Sequence, residues 1–416
     1  MSVYSARRSR SATTALSDRD ATGRRRFFGQ ALAGVVGGGA LLQTHASAAS
    51  LFPAGLAPAP GKILVERIET FKVVVPMLPG VVNSEELGDL IDPVLATFDQ
   101  VPKYIIRLHA DNGMIGIGET GRGDLGAAVA ENSAFLKGRN ILDLDFADPS
   151  LGLPQARTAD AFEIAIYDLM GQALGVPVHV LLGGRFQDKV AVTYWTGQRT
   201  NEDLVEVAQR AVELGFTRLK FKARRKDPIV ERVHAVHKAV PQLGLTVDFN
   251  QSYANPGEFI PVARQMVDTN LMIEDPFPKR VEWFRELRQK VKIPLALTPG
   301  GVPAMMEAIR AEACDVFNLG GNMRHFVKIC FLAEAAGIEV WHGSGVELGV
   351  RDMSFLQAAA ATKSCTVASD TLSFFLRSDD LLATPVPVVK GFVTIPRTPG
   401  LGVDLDLDKV RHYPVA

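Results

Sequence analysis

Two lysines, Lys220 and Lys222, end the short apolar run RLKFK. In an extended chain they share a face, with Phe221 opposed. Charge inside a covered strand is costly. Two crowded ammonium groups also lower each other's pKa, as burial does, and this is how a lysine becomes a base near neutral pH. Taken alone, the pair reads equally as a strand end whose lysines are solvated. The next two strand-like runs carry acids. LTVDFN sets Asp248 and Asn250 on one face, and LMIEDPFP ends in Glu274 before Asp275-Pro276 turns the chain. Such carboxylates repel one another unless a hard divalent cation lies between them, and oxygen donors suit Mg²⁺. A cation opposite two lysines can hold a substrate carboxylate while a lysine removes the adjacent C–H proton and the cation stabilises the enediolate.

The elements that must position these groups follow from periodicity. After Gly183-Gly184 short apolar runs alternate with amphipathic helices: AVTYW, RLKFK, LTVDFN, LMIED, IPLALT, DVFNL, IEVWH and TVASD. Lys222, Asp248, Glu274 and Thr298 recur about every 25 residues, the chain that one strand, one helix and two loops need. Regular β-α alternation builds a parallel sheet, and eight runs predict a barrel whose strand C-termini form the mouth. An open doubly wound sheet is disfavoured, since no GxGxxG follows its first strand. Before this, ILVERIETFKVVV and YIIRLHADNGMIGIGE read as strands, the latter a hairpin turning at Asp111-Asn112-Gly113. With the helix from Thr158 to Gly175 they predict an α+β module over 50–185. The barrel is expected over 186–384, with 385–416 folding back on the N-terminal module.

Residues 1–49 stand apart. Arg24-Arg25-Arg26-Phe27-Phe28, an apolar stretch from Ala31 to Leu42 and Ala46-Ser47-Ala48 have the layout of a signal peptide of twin-arginine type, predicting export of the folded protein to the periplasm or beyond. A disordered basic tail is the competing reading. The 416 residues carry 45 basic and 46 acidic side chains, which leaves no electrostatic footprint for nucleic acid. Three cysteines, Cys314, Cys330 and Cys365, are too few for a disulfide framework and lack metal-ligand spacing. The composition is that of a globular enzyme or binding protein acting on a small molecule, with no span in the mature chain.

Combined, these runs resemble the enolase superfamily, in its mandelate racemase/muconate lactonizing group. Lys220-Phe221-Lys222 matches the KxK of the second barrel strand, Asp248 with Asn250 the DxN of the third, and Glu274-Asp275-Pro276 the EDP of the fourth. AFEIAIYDLMGQALGVPVHVLLGG is similar to the stretch linking cap to barrel. The resemblance covers the chain from about Lys62 onward. It implies a modified TIM barrel, (β/α)7β, under an N-terminal α+β capping domain. It also implies Mg²⁺, a carboxylate substrate, Lys222 as base tuned by Lys220, Asp248 and Glu274 as ligands, and a symmetric homo-oligomer.

Two departures qualify the match. The fifth strand ends in Thr298-Pro299 where the family has an acidic or amide ligand, so Mg²⁺ is expected to bind through two carboxylates, with Asn250 and the Thr298 hydroxyl, and more weakly. The sixth strand ends in Asn318, where relatives carry a lysine or aspartate. On the seventh, WHGSGVE brings His342, Ser344 and Glu347 near the mouth, but Gly343 takes the place of the family histidine. His342 is thus either a second acid/base or a ring packed behind the strand, since a shift of one residue reverses the face. Asn318, Ser344 and Glu347 are candidate substrate contacts, and Asp370 an unassigned group at the mouth. Loop 76–87 is expected to close over it. With proton-transfer groups evident on one face only, dehydration of a sugar acid or related hydroxycarboxylate is the first expectation. A racemase, epimerase or cycloisomerase is the alternative, and a carboxylate-binding protein without turnover the second.

Overall fold

The computed structural model describes residues 61–97, 100–371 and 373–413. The twin-arginine segment lies outside the described residues. Three antiparallel strands open the chain: β1 (Val65–Val73), β2 (Lys103–Ala110) and β3 (Ile115–Glu119), in the order β1-β2-β3. The expected Asp111–Gly113 turn joins β2 to β3, with Gly113 at φ 83°. The helix Ala159–Leu174 packs on this sheet and stops at Gly175, whose left-handed backbone is the usual helix end.

The chain then enters the barrel. Residues 189–195 do not form one strand. β4 (Lys189–Ala191) joins a small antiparallel sheet with β12 (Val388–Val389) and β13 (Phe392–Thr394), and only β5 (Tyr194–Trp195) enters the large sheet. That sheet continues through β6 (Arg218–Lys222), β7 (Gly244–Asp248), β8 (Leu271–Glu274), β9 (Leu295–Leu297), β10 (Val316–Leu319) and β11 (Glu339–His342). All seven strands are parallel and in sequential order. The TVASD run closes the curl without forming a continuous strand. Ser369 exchanges backbone bonds with Ala191 and Thr193 on one side, and the Asp370 amide donates to His342 on the other. The architecture is a modified TIM barrel with an N-terminal capping domain. Strand residues such as Leu219, Phe221, Val247 and Ile273 are buried against the surrounding helices, the covered parallel sheet that apolar runs dictate.

The C-terminal segment does more than return to the cap. Tyr413 accepts from the Val74 amide and Val410 packs with Val73 and Ile105, while β13 pairs with β4 at the foot of the barrel. Buried Asp168 ties the two together by accepting from the amides of Ile117 and Leu401. Among the described residues no helix is long and apolar enough to cross a membrane.

Candidate active site

Register places the charged strand ends side by side. Lys222 pairs with Asp248 across β6 and β7, and Asp248 with Glu274 across β7 and β8. The side chains of Lys220, Lys222, Asp248 and Glu274 all line one cavity of about 510 Å³. Lys222 donates to Asp248 Oδ2 in a direct ion pair. Lys220 Nζ lies 2.6 Å from Asp370 Oδ2 and 2.8 Å from Glu274 Oε2. The latter is an ionic contact without hydrogen-bond alignment, which leaves the buried Oε2 with no donor.

These contacts correct the expectation that Lys220 is depressed. Burial alone would lower the Lys220 ammonium, but Asp370, Glu274 and Asp248 outweigh it and the net shift is upward. Lys220 is a fixed cation. Glu274 is also pushed up, to about 8, by burial and then by the charge of Asp248, with both lysines opposing, which for a carboxyl favours the neutral form. Asp248 goes down despite its burial, because Lys222 and Lys220 stand beside it.

Other candidates separate into those at the cavity and those away from it. Asn318 and Ser344 line it. Asn318 Nδ2 donates to Glu274 Oε1 at 2.7 Å, so it orients that carboxylate. Its course explains Gly343: a Cβ there would stand 2.1 Å from Asn318 Oδ1. Thr298 lines the cavity too, but offers a neutral hydroxyl. Asn250 reaches the rim at φ 43°, with Nδ2 donating to Asp248 and Oδ1 accepting from Arg224. Its carboxamide oxygen is thereby turned away from the two carboxylates, which removes Asn250 as a metal ligand.

Two expectations are overturned. His342 is fully buried behind β11, its ring 3.8 Å from that of Phe355 and 4.2 Å from Phe326, and it does not line the cavity. Its Nδ1–H donates to the Gly343 carbonyl, and burial drops its pKa to about 3. This ring belongs to the core and is not a second acid/base. Glu347 is also buried, clamped by Lys103 Nζ at 2.5 Å and Arg351 Nε at 3.5 Å. It braces the mouth from behind, accepting from the Gly345 amide. Lys103 in turn holds Glu119 at 2.8 Å, so a buried charge cluster joins β2 and β3 of the cap to the loop after β11.

The expected lid also shifts along the chain. Residues 81–84 brace the loop 196–200 through backbone bonds, while Asp92, Val94 and Leu95 line the cavity. Arg122, Arg224 and Lys279 line it as well. Sequence reasoning missed Asp92, Arg122 and Lys279 as mouth residues. Only Lys279, soon after the EDP turn, lay close enough to a motif to be found from sequence, and it pairs with Asp275 at 2.8 Å.

Whether Mg²⁺ suits this donor set turns on chemistry. Among the described residues no three His, Cys, Asp or Glu side chains gather as a metal cluster. Two buried carboxylates do stand together, with Glu274 Oε2 lacking a hydrogen-bond donor, so the residues fit a two-carboxylate site and not a three-carboxylate one.

The comparisons agree with this geometry. Residues 203–410, half of the chain, match the family model described as enolase C-terminal domain-like. The chain belongs to the enolase superfamily, in the mandelate racemase/muconate lactonizing group. It is similar to the N-succinyl-L-Arg/Lys racemase of Bacillus cereus, 28% identical over 347 residues that cover 77% of this chain and 92% of the relative. Muconate cycloisomerase 1 of Rhodococcus opacus is 29% identical over 295 residues, 67% of this chain and 78% of that one. In fold it resembles the muconate lactonizing enzyme of Pseudomonas fluorescens complexed with muconolactone, at TM-score 0.73 and 22% identity, covering 85% of this chain and 100% of that structure. The protein is therefore an enzyme of the isomerase/lyase type, and its superfamily generally uses Mg²⁺.

Proposed function

We propose that this enzyme is an isomerase of carboxylic acids that moves a proton at the carbon next to the carboxylate, with Lys222 as the proton-transfer group and cycloisomerisation as the reaction type. The observation that carries this reading is the Lys222–Asp248 ion pair at the cavity wall. A lysine held as a proton donor is the form that reprotonates an enediolate. When a substrate carboxylate oxygen adds to a conjugated C=C bond, the π electrons move into the second carboxylate. The Lys222 N–H bond then breaks and its proton goes to the α-carbon. The reverse step breaks the α C–H bond and returns that proton to Lys222. Lys220, kept cationic by Asp370 and Glu274, supplies fixed positive charge beside the developing anion.

Asp248 and Glu274, in the cavity that Thr298 also lines, would hold Mg²⁺, which when bound supplies positive charge to the substrate carboxylate and the enediolate. The cap side chains Asp92, Val94 and Leu95 form part of the cavity wall. Cycloisomerisation ranks above racemisation because a racemase needs proton-transfer groups on both faces, and Asn318 offers no titratable proton where His342 is withdrawn. Dehydration of a sugar acid, the first expectation from sequence, yields to this reading because the sequence relatives above are a racemase and a cycloisomerase. The twin-arginine layout of residues 1–49 supports export, which a fusion of that segment to a reporter would test.

The test is α-hydrogen exchange in D₂O with Mg²⁺, followed by NMR, using muconolactone and N-succinyl-L-arginine as probes. Exchange of the muconolactone α-hydrogen that disappears in Lys222→Ala supports the proposal. Exchange that survives in Lys222→Ala removes Lys222 from the mechanism. Inversion of N-succinyl-L-arginine without exchange of muconolactone would instead favour a racemase.

A further inference from the structure

The wall between cap and cavity carries a continuous polar chain that ends on Lys222. In the cap, Asp92 caps the short helix Pro93–Ala96 by accepting from the Val94 amide, and its own amide donates to Gln198 Oε1 at 2.7 Å. Asp92 Oδ2 accepts from Arg224 Nε at 3.0 Å and from Nη2 at 2.8 Å. The remaining guanidinium nitrogen, Nη1, donates to Asn250 Oδ1 at 3.2 Å and to the Ala223 carbonyl at 3.1 Å. Asn250 Nδ2 then donates to Asp248 Oδ2 at 3.0 Å, the oxygen that also holds Lys222.

The chemistry of each link gives the chain direction. An amide has one acceptor end and one donor end, so a cation on Oδ1 obliges Asn250 to present N–H groups to Asp248. Asp248 Oδ2 is thereby shared between Asn250 and Lys222. Arginine is the side chain suited to the junction, because its planar fork can serve a cap carboxylate and a barrel carboxamide at once, whereas a lysine offers one point charge. Asn250 and Gln251 both hold left-handed backbone, at φ 43° and 62°, so the loop is bent to bring this amide under Arg224.

We infer that Arg224 is a positioning residue that transmits the seating of the cap residue Asp92, through Asn250 and Asp248, to the proton-transfer group Lys222. The inference rests on the proposed role of Lys222. Productive geometry at Lys222 then depends on the cap being seated, which ties proton transfer to a closed cavity. By linkage the dependence runs both ways: loosening Asn250 loosens the cap contact.

Two measurements test it. The first needs no substrate. Exchange of the Asp92, Val94 and Leu95 amide hydrogens should quicken several-fold in Asn250→Gly, a change that keeps the left-handed backbone unstrained, relative to the wild-type enzyme. Unchanged exchange there overturns the coupling. The second uses the kinetics of muconolactone α-hydrogen exchange. Arg224→Gln should lower kcat about tenfold and raise KM, since displacement of a reacting group by an ångström or so is costly. Arg224→Lys, which keeps the charge facing Asp92 but not the fork, should return KM toward wild type and leave kcat low. Loss in KM alone, or recovery of both constants by lysine, makes Arg224 a mere latch and refutes the relay. If the wild-type enzyme exchanges neither probe, the proposed reaction fails, while the amide measurement still decides whether cap and Asn250 are coupled.

Discussion

Replacing His342 with phenylalanine separates its two possible roles by both stability and activity. The ring is sealed between Phe326 and Phe355, and burial holds its pKa near 3 against 6.5 for an unconstrained histidine. Between those values the unfolded chain binds a proton that the native state refuses. The stability His342 allows is therefore complete above pH 6.5 and drains away as pH falls toward 3. At about pH 4.5, two units below the unfolded value, the loss is about 3 kcal/mol. His342→Phe cannot take up that proton. It should forfeit about 1 kcal/mol near pH 8, where the bond to the Gly343 carbonyl is lost, and outlast the wild type in acid. Urea midpoints of both proteins across this pH range measure the difference. A positioned acid/base contributes a factor of 10² to 10⁴, so the variant should keep kcat within about tenfold of wild type. A difference in stability that does not vary with pH, or a loss of 10² or more in kcat by a folded variant, would refute the core assignment.

Three further outcomes follow from single contacts. Thr298→Asp should raise Mg²⁺ affinity by about tenfold in titration calorimetry by completing a three-carboxylate set, and unaltered affinity in a folded variant contradicts the two-carboxylate reading. Gly343→Ala puts a methyl 2.1 Å from Asn318 Oδ1, so Asn318 must leave Glu274; a stability loss of about 1–3 kcal/mol and slower turnover are expected, and a wild-type melting temperature argues against it. Asp352 is buried with one oxygen unpartnered, and burial raises it from 3.8 to about 7. A raised carboxyl destabilises the fold as pH climbs between those values, so Asp352→Asn should gain on the wild type from pH 4 to pH 8 in melting temperature, and a constant difference counts against the shift.

How far the sequence disclosed this site depends on whether partners lie near in the chain or across the fold. Lys220, Lys222, Asp248 and Glu274 were legible because parallel strands of regular spacing bring successive strand ends together, and their residue types make sense only as a charge cluster. The direction of the Lys220 shift was not, since it depends on Asp370, which lies 150 positions away. His342 turned on a register of one residue, which a lone strand does not specify. Glu347 read as a mouth acid because its cation, Lys103, sits in the first sheet, 244 positions earlier. Asn250 was given the right neighbour and the wrong duty: its amide orientation is set by Arg224, and no spacing rule records which end of a carboxamide faces which partner.

The buried cluster of Lys103, Glu119, Glu347 and Arg351 bears on how such enzymes could be recombined. Isolating the C-terminal half would take Lys103 from Glu347 and leave Arg351 as the cation beside it, at the longer distance of 3.5 Å. Grafting a foreign N-terminal half to alter substrate choice would meet the same obstacle unless the donor supplied an equivalent lysine and glutamate. The two halves are thus locked as an inherited unit, and new specificity is easier to reach by changing loop side chains than by exchanging modules.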